Sequence, residues 1–289
     1  QVSYPIMSRD SKHVAYAAKA NNKWFIVYEG KEGTPYDLVG TMSFSSDSSH
    51  IAYSAKLDGK AFMVYDGKEG PRFTNVATAL YSPDSTQMSY LAFDDGEYFM
   101  MTNGVKGKKY DEIRELVYSP NSAHSILTVK KGKKWTAVVD GNEGAKFDEI
   151  LFVVYSPDSN HYAYIAKKGD KWAMVYDGKE GVYYEAVTFP KFSKDSRYLC
   201  YMAKKGAKWV VVTNTKESKE YDGVALPEFS PDSEHIAFAA LKGDLWLVVV
   251  DGNESKELFS GILKGSDLVF STNKKLHAMG MQVKLANNK

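Results

Sequence analysis

Three kinds of residue in this chain could do chemistry: histidines, serines beside aspartates, and acidic turns. The histidines are His13, His50, His124, His161, His235 and His277. A histidine near a serine and an aspartate is the material of a nucleophilic triad, and histidines clustered with carboxylates can bind zinc. The serines stand in Ser-Pro-Asp-Ser at Ser156–Ser159 and Ser230–Ser233, and in the near copy Ser45–Ser48. Asp-Gly-Lys-Glu-Gly at Asp177–Gly181 brings two acids close together, which suggests calcium. Each of these chemistries needs several groups to converge on one point.

The spacing works against convergence. His13, His50, His124, His161 and His235 share one position of a 37-residue repeat (50 − 13 = 37; 161 − 124 = 37), and His277 lies one residue off it. The aromatic that opens each copy falls at Phe44, Tyr81, Tyr118, Tyr155, Phe192 and Phe229, each 37 residues after the last, and Met7 fills the slot before Phe44. A degenerate copy begins at Phe270, 41 residues after Phe229. One histidine per repeat is expected to pin its own tight turn, through Asp10, Asp47, Asp158 or Asp232. The repeated serines have no base particular to one site. The acidic turns lack the alternating oxygen ligands of a calcium loop and carry a lysine in the middle, so they read as hairpin turns. No phosphate-binding loop, Gly-x-Ser-x-Gly elbow or His-Glu-x-x-His motif occurs. No catalytic residue, metal site or cofactor is therefore assigned. The lone cysteine, Cys200, takes the slot of Ala15, Ala52, Ala163 and Ala237 and is expected to be buried packing.

The repeat at 155–191 shows what positions these residues. Tyr155–Ser159 ends an extended segment in a Pro-Asp-Ser turn. His161–Ala166 and Trp172–Tyr176 read as strands joined by a polar hairpin at Lys167–Lys171. Asp177-Gly178 is a strong hairpin signal, and Val182–Val187 is read as the fourth strand. Four short antiparallel strands repeated in this way predict an all-β fold, a β-propeller. Unbroken apolar runs such as Leu247–Val250 fit strands buried on both faces between blades. Trp24, Trp135, Trp172, Trp209 and Trp246, with Ala61 and Tyr98 in the remaining slots, read as blade-packing anchors.

The word Phe-Ser-Pro-Asp-Ser-x-x-hydrophobic-Ala-Tyr, followed by a hairpin strand ending in Asp-Gly, resembles the WD-repeat-like β-propeller repeats of TolB-like proteins. The resemblance covers essentially the whole chain. The Gly-His and Trp-Asp signatures of true WD repeats are absent. It implies a periplasmic or secreted setting. The chain is read as one propeller domain over 1–289. Complete repeats span 7–265 and a partial repeat 266–289. This gives eight blades with the last incomplete, or seven with a C-terminal extension.

The 289 residues are 44% hydrophobic and 25% charged, with a formal net charge of +1. No whole-protein field favours nucleic acid, and no apolar run is long enough to span a bilayer. The start, Gln1–Pro5, lacks an initiating Met and the pattern of a signal peptide, and reads as that of a mature product or a fragment. Lysines gather at the second-to-third hairpins (Lys130, Lys131, Lys133, Lys134, Lys167, Lys168, Lys171, Lys204, Lys205, Lys208). Acids on the inter-blade links (Asp37, Asp111, Glu112, Asp148, Glu149, Asp222) are expected to pair with them.

The repeat is most informative where it breaks. The slot before the opening aromatic holds Lys191 and Glu228 in adjacent blades. The slot three earlier holds Arg114, beside Glu115. These four polar residues, expected near the channel mouth, are the candidate binding site; the plain alternative is an ion pair between Lys191 and Glu228. The expected function is a non-enzymatic module that holds a protein or peptide partner. The alternatives are the propeller domain of a larger, prolyl-oligopeptidase-like enzyme, and a propeller binding a small molecule or carbohydrate.

Overall fold

The computed structural model describes residues 1–262, 268–273, 275–277 and 280–281. Every regular element among them is a β-strand. The chain divides into two compact units, Gln1–Glu143 and Gly144–Lys289.

The fold is that of β-propeller blades. Seven antiparallel sheets follow in chain order, over 6–32, 38–69, 75–106, 112–147, 149–184, 186–217 and 223–254. In the third, the first strand is broken into Asn75–Val76 and Leu80–Tyr81. An eighth, incomplete set follows: Val269–Thr272 pairs with Lys275–His277, and Gly261–Ile262 with Gly280–Met281.

The fifth sheet shows how the sequence forms a blade. Its strands are Glu149–Tyr155, Tyr162–Lys168, Lys171–Tyr176 and Lys179–Tyr184. The expected strand at Val182–Val187 is corrected. The fourth strand ends at Tyr184, and Ala186–Val187 already belong to the first strand of the next sheet, Ala186–Phe192. A short link at Glu185 separates two extended segments that look continuous in sequence. The turn between the last two strands holds Asp177 at φ 46° and Gly178 at φ 75°. Two successive left-handed residues make a type I′ turn, whose twist matches that of the flanking strands. Asp tolerates this conformation and Gly adopts it without strain, hence the repeated Asp-Gly.

The core lies between consecutive sheets of each unit. In the first unit, Ala15, Ala17 and Ile26 of the first sheet meet Ile51, Tyr53, Phe62 and Val64 of the second. Ala52 and Met63, on the other face of the second sheet, meet Tyr90, Ala92, Phe99 and Met101 of the third. In the second unit, Ala163, Ile165 and Met174 pack on Tyr201, Val210 and Val212. Met202 and Val211 pack on Phe238, Leu247 and Val249. Leu199–Ala203 is therefore buried at every position, which explains the runs that do not alternate. Each buried Val, Leu or Phe contributes about 1.5–3 kcal/mol.

Candidate functional site

The repeated polar residues are absorbed by the fold. Ser156 Oγ donates to Asp158 Oδ1 at 2.5 Å and accepts the backbone N–H of His161 at 2.9 Å. The same arrangement holds Ser45 to Asp47 and Ser230 to Asp232. These hydrogen bonds, led by the serine hydroxyl, hold Asp84 and Asp158 down to about 2. The second serine of most turns, such as Ser196 at φ 68°, reaches a neighbouring sheet: its Oγ accepts the backbone N–H of Asp158 at 3.0 Å. Asp10 to Ser48, Asp47 to Ser85, Asp84 to Ser122 and Asp195 to Ser233 repeat this stitch.

The histidine assignment is corrected. Their carboxylate partners lie in the third-to-fourth turn, not in their own turn. His50 Nδ1 meets Asp66 at 2.6 Å, His124 meets Asp140 at 2.7 Å, His161 meets Asp177 at 2.7 Å and His235 meets Asp251 at 2.6 Å. His13 faces Glu29 at 3.3 Å. The aspartate of the same turn is already held by its serine, and the register sets His beside the Asp-Gly turn. His50 and His161 also stack on Tyr65 and Tyr176.

The glutamate of the acidic turn ties neighbouring sheets together. Tyr184 Oη donates to Glu217 at 2.8 Å, and Tyr110 Oη to Glu143 at 3.2 Å. The hairpin lysines pair with acids: Lys171 with Glu185 at 2.6 Å, Lys208 with Asp222 at 2.5 Å, Lys205 with Glu217 at 2.9 Å and Lys130 with Glu112 at 3.3 Å. Asp111 and Asp222 also accept the amides of Gly132 and Gly243 at the hairpin tips. Among the described residues, no three His, Cys, Asp or Glu side chains gather as a metal would need. No helix there is long and apolar enough to cross a membrane.

The four residues from the broken slots fall in different units. Arg114 and Glu115 lie in the first unit, on the strand Glu112–Tyr118. The Arg114 guanidinium sits 3.9 Å from the ring centre of buried Trp135, a cation–π contact. Burial raises the Glu115 carboxyl, against the lowering effect of Arg114. Lys191 and Glu228 lie in the second unit and form an ion pair between the sixth and seventh sheets. In the strand register Lys191 stands opposite Cys200, and Glu228 opposite Ala237. Cys200 is fully buried and its thiol is pushed up to about 12, chiefly by burial.

Two cavities flank the Lys191–Glu228 pair. One, of about 350 Å³, is lined by Phe189, Pro190, Met202, Leu226, Pro227 and Leu268. The other, of about 430 Å³, is lined by Phe192, Lys194, Phe229, Pro231, Val269 and Phe270. Lys191, Glu228 and Leu268 border both.

The walls of the first cavity come from β-bulges. Thr188 pairs with Met202 and Lys191 with Cys200, so Phe189 and Pro190 face a single residue. Ala225 pairs with Ala239 and Glu228 with Ala237, leaving Leu226 and Pro227 in the same position. Phe189 and Leu226 are left-handed at φ 55° and 56°, as is Phe152 at 54° in the fifth sheet. Phe189 is 64% exposed and Phe152 57%. Bulky residues rarely adopt this backbone, which costs roughly 1–2 kcal/mol each. Sequence reasoning took the slots on either side and passed over these three. The signal was present: a proline inside a strand, at Phe189-Pro190 and Leu226-Pro227, marks an edge or a bulge.

No protein-family model matches the chain, and no curated protein matches it. Among solved structures it is similar to the β-propeller domain of the trilobed protease from Pyrococcus furiosus: 16% identity, TM-score 0.39, covering 88% of this chain and 96% of that one. It is similar to the Dos1 propeller at 10% identity and TM-score 0.42, over 90% of this chain and 86% of that one. It is also similar to a prolyl endopeptidase at 11% identity and TM-score 0.40, over 89% of this chain; it spans about half of that chain, 49%. These likenesses are of coarse fold, and the TolB-like resemblance has no family match behind it.

Proposed function

We propose that the chain is a non-enzymatic binding module that holds a protein or peptide partner, with Lys191 and Glu228 at its centre and Arg114 and Glu115 as a second candidate contact. The observation that carries this reading is a contrast. Repeated Ser, His, Asp and Glu side chains are engaged in turns and sheet-to-sheet stitches. The non-repeated Lys191–Glu228 pair instead stands between two cavities, beside strained and apolar residues. Strain held at an exposed residue beside the pair, Phe189, supports the reading. Affinity capture by the full chain from its native source tests the reading, with Lys191→Ala and Arg114→Ala in parallel. A partner recovered by the parent chain and lost with Lys191→Ala is expected. Equal recovery by the parent and both variants would sink it.

A further inference from the structure

We infer that the ligand of the Lys191–Glu228 site is an extended peptide with apolar side chains two residues apart. This rests on the binding-module reading above and adds the chemistry of the occupant. The two cavities share Lys191, Glu228 and Leu268, so they form one site in which a charged pair separates two apolar-walled spaces. An extended chain projects alternate side chains to one side, about 7 Å apart. Between them lies backbone carrying one donor and one acceptor per residue. A carboxylate has lone pairs to spare for an amide N–H, and an ammonium has three donors for a carbonyl, while the two stay paired.

The same geometry disfavours other occupants. A wholly apolar ligand would desolvate the lysine and glutamate with nothing in return. A polyanion would meet Glu228. The bulges shape the wall of the first cavity. The bulge of the second sheet falls one residue earlier, at Gly40 and Thr41, and that of the fourth at Arg114, and neither Thr41 nor Glu115 is left-handed. Phe152, at the same bulge of the fifth sheet, is left-handed too, so this bulge register brings the left-handed backbone with it. That backbone sets two bulky apolar groups at the cavity mouth, where they complete a wall for an apolar side chain.

The test uses the full chain and fluorescein-labelled, N-acetylated dodecapeptides read by anisotropy. The central residues are Leu-Ser-Leu, Phe-Ser-Leu or Met-Ser-Leu between Gly-Ser flanks. Controls carry Ser-Ser-Ser, or the apolar pair with the central amide N-methylated. Saturable binding of at least one apolar peptide is expected, at least tenfold weaker for both of its controls. In Glu228→Ala the N-methyl penalty should fall below twofold. Thermal midpoints of parent and variant, matched to within a few degrees, show that folding is unchanged. No saturable binding, or binding equal to Ser-Ser-Ser, overturns the inference. So does an N-methyl penalty that survives Glu228→Ala, or an apolar dye that binds the site and is not displaced by the peptides. If native-source capture depends on Lys191 while no peptide binds, the module reading stands and the peptide chemistry falls. If neither depends on the site, both fall.

Discussion

The backbone amide of Asp158 donates to the hydroxyl of Ser196, 38 residues further on, at 3.0 Å. Asp158 stands in the fifth sheet's turn and Ser196 in the sixth's, so this hydrogen bond ties the turns of two neighbouring sheets together. Ser196 is buried and left-handed at φ 68°. Ser196→Ala should lower stability by about 1 kcal/mol, because a partly buried amide loses its acceptor. Ser196→Gly loses the same bond but relaxes the backbone, and should cost roughly 1 kcal/mol less than Ala. Denaturant unfolding of the two variants measures both. Equal losses would show that the backbone there is unstrained.

Tyr118 Oη meets Ser89 Oγ at 2.8 Å, and Ser89 also meets Thr102 at 2.6 Å. One repeat earlier the tyrosine is Tyr81 and the serine slot is Ala52. Tyr81 Oη is buried without a hydrogen-bond partner. Ala52→Ser should restore the pair and stabilise by about 1 kcal/mol, while Tyr81→Phe should be neutral or slightly stabilising. Tyr118→Phe should instead destabilise. Chemical denaturation of the three variants checks the order, and a destabilised Tyr81→Phe would contradict it.

His235 shows the sign of the pH dependence. Its hydrogen bond to Asp251, with Asp232 and Glu234 nearby, raises its pKa above 6.5. A raised folded pKa contributes stability that is fully present below the unfolded value and is lost as pH rises through the folded one. The stability difference between the parent and His235→Asn should therefore be larger at pH 5.5 than at pH 9, read as denaturant midpoints. At the acid end the sign reverses. The lowered carboxylates Asp84 and Asp158 contribute stability above the unfolded pKa of 3.8, and it is lost as pH falls towards about 2. Asp158→Asn should flatten that acid limb, since Asn121 already accepts from Ser119 in the fourth sheet.

Cys200 stands opposite Lys191 in the strand register, with a thiol pushed up to about 12, mainly by burial. In the native protein it should resist an aromatic disulfide reagent at pH 8 and react within minutes after denaturation. Cys200→Ala should fold normally, because alanine fills the same slot in other repeats, at a cost of about 1 kcal/mol. Prompt native labelling would show that the sheet opens there.

The sequence by itself determined the repeat, the strand class and the turn chemistry. Period-37 aromatics, Ser-Pro-Asp-Ser and Asp-Gly turns act within a few residues, so their meaning is legible locally. The burial of Cys200 could be read the same way, by comparing one repeat with the next, and so could the link acids that take Lys130 and Lys208, but not the fourth-strand glutamates that take Lys168 and Lys205. Tertiary structure decided which groups those residues meet. His161 is closer in sequence to Asp158 than to Asp177, yet strand register sets it beside Asp177. Tyr184 finds Glu217 and Asp158 finds Ser196 because neighbouring sheets pack face to face. The same holds for the candidate site. The sequence marked Lys191 and Glu228 as departures from the repeat, but the backbone twist of Phe189 and Leu226 and the cavities beside them arise only when bulged strands pair with their partners. Local residue types set which turns and strands are available; packing energy between distant strands selects their partners.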